Sequence, residues 1–405
     1  MPVAPITLDA LRRYAVARTL FTPTTLPAAI QRLGFVQADP IRAPARAQDL
    51  TLRHRVKGYC AGDLERRYAA LGIEEDFFVN YGFLPRATQA LMHPRTPRVA
   101  WPEARALQAQ AVLAYVQVRG VVHPREVDAH FAHGRAANWF GGTSSASTQL
   151  LDAMHYRGML RIAGRVSGVR TYAVSMALPV TPTVAVPGAM LATASATATV
   201  DAYAHPALGA QFASVHPDKA IDALIDVIVR KYAPLPERSL AELLSLLLRG
   251  GVPQWTALRA AAMARAKQRL ASAVIDGTAW YWPRGESPTA ARYAAQDGEP
   301  ARVRLLAPFD PLVWDRRRFE LLWGWAYRFE AYTPPAKRVR GYYALPLLWR
   351  DQVIGWGNIS MADGALSADL GYVAGKAPRE AAFKRALGDE LERMQVFLAA
   401  NIAAR

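Results

Sequence analysis

Two polar side chains near the start of the chain, Gln37 and Asp39, have types and a spacing that could bind and activate a water molecule. Gly34 is typical of a helix end, and Pro40 disfavours helical backbone for the residue before it, so residues 37–39 are expected to be extended. Residues two apart on an extended segment face the same side. A carboxamide and a carboxylate would then lie side by side. The alternative is an Asx turn in which Asp39 only caps backbone N–H groups.

Helices on both sides would hold this segment in place. Apolar residues recur at helical spacing over residues 8–18 and 26–33, with Thr25 available as a cap for the second helix. Residues 47–56 indicate a further, basic helix. This order, two helices, an extended segment and then a basic helix, is typical of a helix-turn-helix-like module.

The next segment repeats this organisation and adds a hairpin. Helices are predicted over residues 107–119, 124–132 and 147–157, and the alternation and glycines of residues 159–174 predict two strands joined by a tight turn. Three helices and a two-stranded wing describe a winged helix. A third helical set over residues 217–275 is interpreted in the same way.

After residue 300 the pattern changes to short β-strands, over residues 305–309, 341–347 and 352–356, followed by an amphipathic helix over 383–398. The predicted fold class is therefore α+β, with three tandem winged helix-turn-helix modules followed by a C-terminal β-barrel-like domain with a terminal helix. The predicted domains are 1–100 (first module with connector and the Gln37–Asp39 segment), 101–200 (second module), 201–290 (third module) and 301–405 (β-domain).

The excess of positive charge predicts a polyanionic partner, because the net charge is +16 and the pI is about 10.2. Residues 1–60 hold nine basic and three acidic side chains, and residues 301–350 hold ten and four, so two separated blocks carry most of the excess. We expect them to form one basic surface that contacts DNA. The side chains predicted to bind DNA are Arg42, Arg46, Arg53, Arg55, Arg316, Arg317, Arg318, Lys337, Arg338 and Arg340.

Several other classes of function are disfavoured. One cysteine, Cys60, gives neither an intrachain disulfide framework nor a Cys-rich metal site, and His130 with His133 lacks a third ligand. No nucleotide-binding glycine motif is found, so no metal and no cofactor is predicted. The uncharged run 171–200 contains three prolines and indicates strands and turns, not a membrane span. No export signal is found, and we expect a cytoplasmic, nucleoid-associated monomer without membrane contact.

Three ordered motifs carry a family resemblance: LGFVQADPI at 33–41 leading into ARAQDL at 45–50, LLAPFDPLVWDR at 305–316, and KRVRGYYALP at 337–346. With them the chain resembles the AlkZ/YcaQ-type DNA glycosylases, tandem winged-helix proteins that excise alkylated purines, including purines joined in interstrand crosslinks. The resemblance implies double-stranded DNA with alkylated bases as partner, and Gln37 and Asp39 as the catalytic Gln-x-Asp signature. The chain departs from the family pattern at 76–80, where DFFVN lacks the usual His, and at Gly355-Trp356, where Gly-Arg is usual. Both departures concern substrate range.

The chemistry of such a reaction agrees with these residues. A purine alkylated at N3 or N7 is cationic and leaves without a general acid, so the site needs an anion, Asp39, and a water positioned by Gln37. The first lysine of the chain is Lys57, which disfavours a Schiff-base lyase step and favours a monofunctional enzyme. The alternative is a winged-helix transcriptional regulator without catalytic activity, which would leave Gln37 and Asp39 without a role.

Overall fold

The computed structural model describes residues 5–97, 99–137, 141–175, 216–293, 301–362 and 364–399. The chain folds into two compact units. The first comprises Met1–Gln89, Ile221–Gly251 and Trp255–Arg405, and the second comprises Ala90–Ala220 and Val252–Gln254. Among the described residues, no helix combines the length and the apolar character needed to cross a membrane.

The first ninety residues form short helices around a small sheet. The elements are α1 (Leu8–Thr19), α2 (Leu26–Leu33), β1 (Val36–Gln37), α3 (Ala47–Leu52), α4 (Asp63–Arg66), β2 (Ile73–Phe77), β3 (Tyr81–Pro85) and α5 (Arg86–Ala90). The sheet is antiparallel with the order β1-β3-β2. Leu11, Tyr14, Ile30 and Phe35 are fully buried. Helix α2 packs against β3, the central strand of this sheet, so apolar burial holds the sheet against that helix.

The second unit contains the predicted three helices and hairpin. Its elements are α6 (Glu103–Arg119), β4 (Val121–Val122), α7 (Pro124–Phe131), β5 (Arg135–Ala137), β6 (Thr143–Ser145), α8 (Ala146–Tyr156), β7 (Leu160–Val166) and β8 (Val169–Val174). Ser145 caps α8 by accepting a hydrogen bond from the Thr148 N–H. The hairpin turn is Ser167-Gly168, where both residues have positive φ.

The third helical set begins with α9 (Pro217–Tyr232), most of which belongs to the first unit. It continues with β9 (Leu235–Pro236), α10 (Glu237–Gly250), α11 (Arg259–Arg269), β10 (Ala271–Ile275) and β11 (Thr278–Trp282). Its sheet has the order β10-β11-β9, and that of the second unit has the order β4-β8-β7. In all three helical segments a short first strand thus pairs with the second strand of a later hairpin. Their assignment as three winged-helix modules, and the domain boundaries, stay predictions.

The C-terminal part contains β12 (Val303–Leu305), α12 (Arg316–Trp323), β13 (Leu345–Trp349), β14 (Gln352–Ala362), β15 (Ala365–Tyr372) and α13 (Ala381–Ala399). The described strands form an open antiparallel sheet, β12-β13-β14-β15, so the predicted barrel is not found. The reason is that β12 and β15 are the two edges of this sheet and pair only with β13 and β14. The final helix covers the sheet as predicted, with Phe383 packed edge-on against Trp349 at 5.4 Å.

Several boundaries differ from the sequence predictions. The basic helix expected over 47–56 ends at Leu52, and all of its six residues are buried. Residues 341–344 lie outside a strand, and β15 is an element that the sequence pattern does not predict. Most of the uncharged run, residues 176–200, lies outside the described residues.

Candidate active site

The segment that carries Gln37 and Asp39 is fixed by two glycines. Gly34 ends α2 with φ of 67°, and a Cβ added there would lie 2.7 Å from a Val227 methyl group on α9. Gly82 on β3 faces Gln37, and a Cβ added to it would lie 2.3 Å from the Val36 carbonyl oxygen. Because a side chain fits at neither position, the two glycines set how closely β1 approaches its neighbours.

Asp39 takes part in an Asx turn, as the alternative interpretation of the sequence predicted. Its Oδ1 accepts a hydrogen bond of 2.9 Å from the Ile41 N–H, and its own N–H donates to Gln48 Oε1 at 3.2 Å. Gln48 is buried on α3 and therefore ties the backbone of Asp39 to the helix. The turn uses one carboxylate oxygen, and Oδ2 has no hydrogen-bond partner among the described residues. The turn therefore orients the carboxylate and leaves half of it available.

Gln37 is buried, yet its side chain makes no hydrogen bond within the described part of the chain. Its Oε1 is fully enclosed and has no donor. Buried acceptors are almost always paired, so an orphaned one marks a place where water or a ligand belongs. Gln37 and Asp39 together offer two unpaired acceptor atoms, Oε1 and Oδ2, two residues apart on one extended segment.

Burial raises the pKa of Asp39, and the Ile41 N–H partly offsets this effect. The pKa of Tyr343 is also raised, first by burial and then by the negative charge of Asp39, which places this tyrosine in the electrostatic environment of the carboxylate. The Tyr343 hydroxyl is buried and has no hydrogen-bond partner within the described ranges of the chain. It is a third unpaired polar group in the neighbourhood of Asp39.

An aromatic cluster surrounds Tyr343. The ring of Phe329 lies edge-on to Tyr343 at 5.1 Å, to Phe309 at 5.1 Å and to Tyr332 at 6.0 Å. The Tyr332 side chain is 81% exposed. No role is predicted for these residues from the sequence, although Phe309 and Tyr343 lie within two of the quoted motifs, 305–316 and 337–346. That position is the signal that could have identified them.

Glu330 holds the loop that follows the cluster. Its buried carboxylate accepts backbone hydrogen bonds from Val339 (3.0 Å), Arg340 (2.8 Å) and Gly341 (3.2 Å). The loop therefore projects Tyr332, Lys337 and Val339 into solvent from a fixed base.

The structure separates the predicted DNA-binding side chains into two groups. Exposed or partly exposed members are Arg42, Arg316, Arg317, Lys337, Arg338 and Arg340. Largely enclosed members, which are paired inside the protein, are Arg46, Arg53, Arg55 and Arg318.

The prediction that Arg55 and Arg318 contact DNA is corrected by their complete burial. Arg55 is fully buried against Asp310, and Arg318 is fully buried and donates to the carbonyl oxygens of Pro234 and Pro311. Arg53 pairs with Glu390, and Arg46 with Glu65. Arg55 and Arg318 therefore do not present guanidinium groups to a DNA surface, whereas Arg46 and Arg53 are partly exposed and paired with carboxylates.

The two histidines near the end of α7 make separate contacts. His130 stacks on Tyr115, whereas His133 contacts the Ser147 hydroxyl through Nδ1 at 3.0 Å. Within the part of the chain that the structure describes, no group of three or more His, Cys, Asp or Glu side chains could hold a metal ion.

Comparison with known proteins places this geometry in a family. The chain has the same fold as the Streptomyces sahachiroi DNA glycosylase AlkZ, with a TM-score of 0.56 over 97% of both chains, at 13% sequence identity. The family model described as DNA glycosylase AlkZ-like matches residues 30–397, which include the Gln37–Asp39 segment and the aromatic cluster. Because this match spans most of the chain, the protein belongs to the AlkZ-like DNA glycosylase family and is a DNA-binding enzyme of DNA repair.

Proposed function

We propose that this glycosylase hydrolyses the N-glycosidic bond of purines alkylated at N3 or N7, with Asp39 as the catalytic anion and Gln37 as the residue that positions the attacking water. The observation that supports this best is the buried, unpaired Oε1 of Gln37. A buried acceptor without a partner costs about 1–3 kcal/mol of stability. A water molecule that donates to Oε1 removes this cost and stands close to the free oxygen of Asp39.

The alkylated purine explains why two such groups are sufficient. Its positive charge makes it a good leaving group without protonation, and charge then develops on the deoxyribose. The carboxylate of Asp39 stabilises that charge and accepts a proton from the water, as carboxylates do in glycosidases. Partial burial of Asp39 strengthens its field at the sugar, because less water screens it. Purines joined in interstrand crosslinks present the same cationic leaving group and are included in the proposal.

The expectation of a monofunctional reaction gains support from Lys231. Its amine lies over the ring of Phe35 at 4.3 Å, close in sequence to Gln37. The whole residue is only 2% exposed, and burial lowers the pKa of its amine well below the ordinary value. An amine enclosed to this degree is out of reach of a deoxyribose and cannot form a Schiff base with it.

DNA binding is assigned to the exposed basic residues and the loop based on Glu330. Arg42, Arg316, Arg317, Lys337, Arg338 and Arg340 would contact phosphates, which fixes the register of the enzyme on the duplex. Tyr332 and Val339 are exposed apolar side chains on the same loop and would face the groove.

The reaction is tested with three duplexes of the same sequence, which differ only in the base at one position: N7-methylguanine, 8-oxoguanine or guanine. We expect abasic sites in the first duplex and none in the other two, because only N7-methylguanine is a cationic leaving group. Strand breaks should appear only after alkali. Breaks without alkali, together with a protein adduct trapped by borohydride, would show a lyase instead. Binding of all three duplexes without base release would favour the non-catalytic winged-helix regulator.

A further inference from the structure

A cavity of about 420 Å³ lies in the first unit, between the end of α3, strand β12 and the final helix α13. None of its lining residues belongs to the Gln37–Asp39 segment or to the aromatic cluster. Its charged lining residues are Arg53, Arg302, Arg304, Arg393, Glu390 and Glu392. Four guanidinium groups thus face two carboxylates, and the cavity carries a net positive charge.

One buried carboxylate organises two of these arginines. Glu390 Oε1 accepts hydrogen bonds from the Arg53 guanidinium and, at 2.8 Å, from the Leu305 N–H. Its Oε2 accepts from Arg393 at 3.1 Å. Three of the hydrogen bonds that this carboxylate can accept are thus used, and Glu390 forms no hydrogen bond or ion pair with Arg302 or Arg304.

The side chains of Arg302 and Arg304 have no hydrogen bond or ion pair among the described residues. Burial lowers the pKa of Arg304 to about 10; the negative charge of Glu390 opposes this effect, and the positive charges of Arg302, Arg55 and Arg393 add to it. His54 on the cavity wall adds no charge, because burial lowers its pKa and its Nε2 bonds to the Leu305 carbonyl oxygen at 2.9 Å. Arg304 is attracted by the Glu390 carboxylate but forms no ion pair with it. A largely enclosed guanidinium without a paired anion is unfavourable, which indicates that an anion belongs in the cavity.

The guanidinium fork matches the oxygens of a phosphate group, which it binds by two parallel hydrogen bonds. The volume falls in the range of sites for small organic ligands, roughly 300–1,000 Å³, so a phosphate and part of its carrier fit. Val56, Val396 and Phe397 provide apolar wall next to the arginines for that carrier.

We propose that this cavity is a phosphate-binding site, separate from the catalytic segment, in which Arg304 and Arg302 hold the phosphate group and Glu390 keeps Arg53 and Arg393 in place around it. The phosphate belongs either to a free phosphorylated small molecule or to the backbone of bound DNA. The chemistry of recognition is the same for both sources.

Two binding measurements on the full chain, at constant ionic strength, distinguish the sources. Calorimetry with inorganic phosphate and with adenosine monophosphate tests the small molecule, and fluorescence anisotropy with an undamaged duplex tests the backbone. The variant is Arg304→Gln, and the matched control is Arg385→Gln, which removes an exposed arginine from α13 outside the cavity. A loss of phosphate affinity of at least tenfold in Arg304→Gln alone supports a small-molecule site. A similar loss of duplex affinity, without measurable binding of the small phosphates, supports a backbone contact.

The proposal is overturned if Arg304→Gln and Arg385→Gln bind both probes equally. Should Arg304→Gln fail to fold, the wild-type protein still provides a test. Phenylglyoxal modifies accessible arginines, and peptide mass spectrometry locates the adducts. Protection of Arg302 and Arg304 by phosphate or duplex, relative to Arg385, supports the site, and equal labelling with and without both probes contradicts it.

Discussion

Arg55 and Asp310, which are 255 positions apart in the sequence, form a bidentate ion pair in the core, with Nη1–Oδ2 and Nη2–Oδ1 distances of 2.8 and 3.0 Å. Both side chains are completely buried. Arg55 also donates to the carbonyl oxygens of Thr19 and Thr51, so its donors are well satisfied. The pair joins the two basic blocks of the sequence, one of which carries the Gln37–Asp39 segment and the other the aromatic cluster.

Replacing Arg55 by Met should lower the free energy of unfolding by roughly 3–5 kcal/mol, because it leaves the Asp310 carboxylate buried without a counter-ion. Urea denaturation measures the change. Arg317→Met, which removes an exposed arginine of the same basic blocks, is the control and should change stability by no more than about 0.5 kcal/mol. Equal stability of the two variants would show that the pair does not hold the blocks together.

Salt dependence should separate the exposed basic residues proposed to bind DNA from an exposed arginine that is paired within the protein. Each lysine or arginine that neutralises a phosphate contributes roughly 0.9 to the slope of log K against log salt concentration. We expect Arg317→Gln and Lys337→Gln each to reduce the slope of wild-type duplex binding by about one. Arg350→Gln should leave it unchanged, since Arg350 pairs with Glu380. Anisotropy titrations between low and moderate salt measure the slopes, and an unchanged slope in all three variants would remove both residues from the interface.

Local signals predicted much of the fold and part of the site. Gly34 ended a helix, Ser145 capped one, and Asp39 formed the Asx turn, because each effect depends on residues a few positions apart. The burial of Arg55 could not be predicted in this way. Its partner, Asp310, is distant in sequence, and a count of charges does not distinguish a paired arginine from an exposed one. The unpaired hydroxyl of Tyr343 likewise results from tertiary packing.

The partial burial of Asp39 predicts that its charge destabilises the folded protein. Its raised pKa means that the folded state binds the proton more tightly than the unfolded state. The free energy of unfolding therefore falls as the pH rises from the unfolded pKa, about 3.9, through the raised pKa of the folded state. Asp39→Asn should therefore have a higher Tm than wild type at pH 7, and the difference should vanish below about pH 4. Thermal unfolding across this range measures it. A lower Tm of the variant at pH 7 would indicate that the carboxylate has a stabilising role in the turn.

Tyr343→Phe should reduce base release without loss of stability. Its hydroxyl has no hydrogen-bond partner to lose on substitution, so the Tm should stay the same or rise. If the hydroxyl binds the water or the sugar near Asp39, the single-turnover rate should fall about tenfold, as for the loss of one or two hydrogen bonds in the transition state. Tyr342→Phe is the matched control, because the neighbouring ring is exposed. Equal rates for the two variants would limit Tyr343 to packing.

The catalytic roles predict an order of effects. Asp39→Asn should retain the fold and most of the DNA affinity, because Asn is nearly isosteric and can still accept from the Ile41 N–H. It should slow base release by roughly two to four orders of magnitude, the range expected when a positioned anion and base is lost. Gln37→Ala should slow it less, since a displaced water remains available to Asp39, whereas solvent cannot replace the carboxylate. Single-turnover release from a duplex containing N7-methylguanine, detected by alkaline cleavage, gives the three rates. Equal rates for wild type and Asp39→Asn would remove Asp39 from catalysis and leave it as the acceptor of the Asx turn.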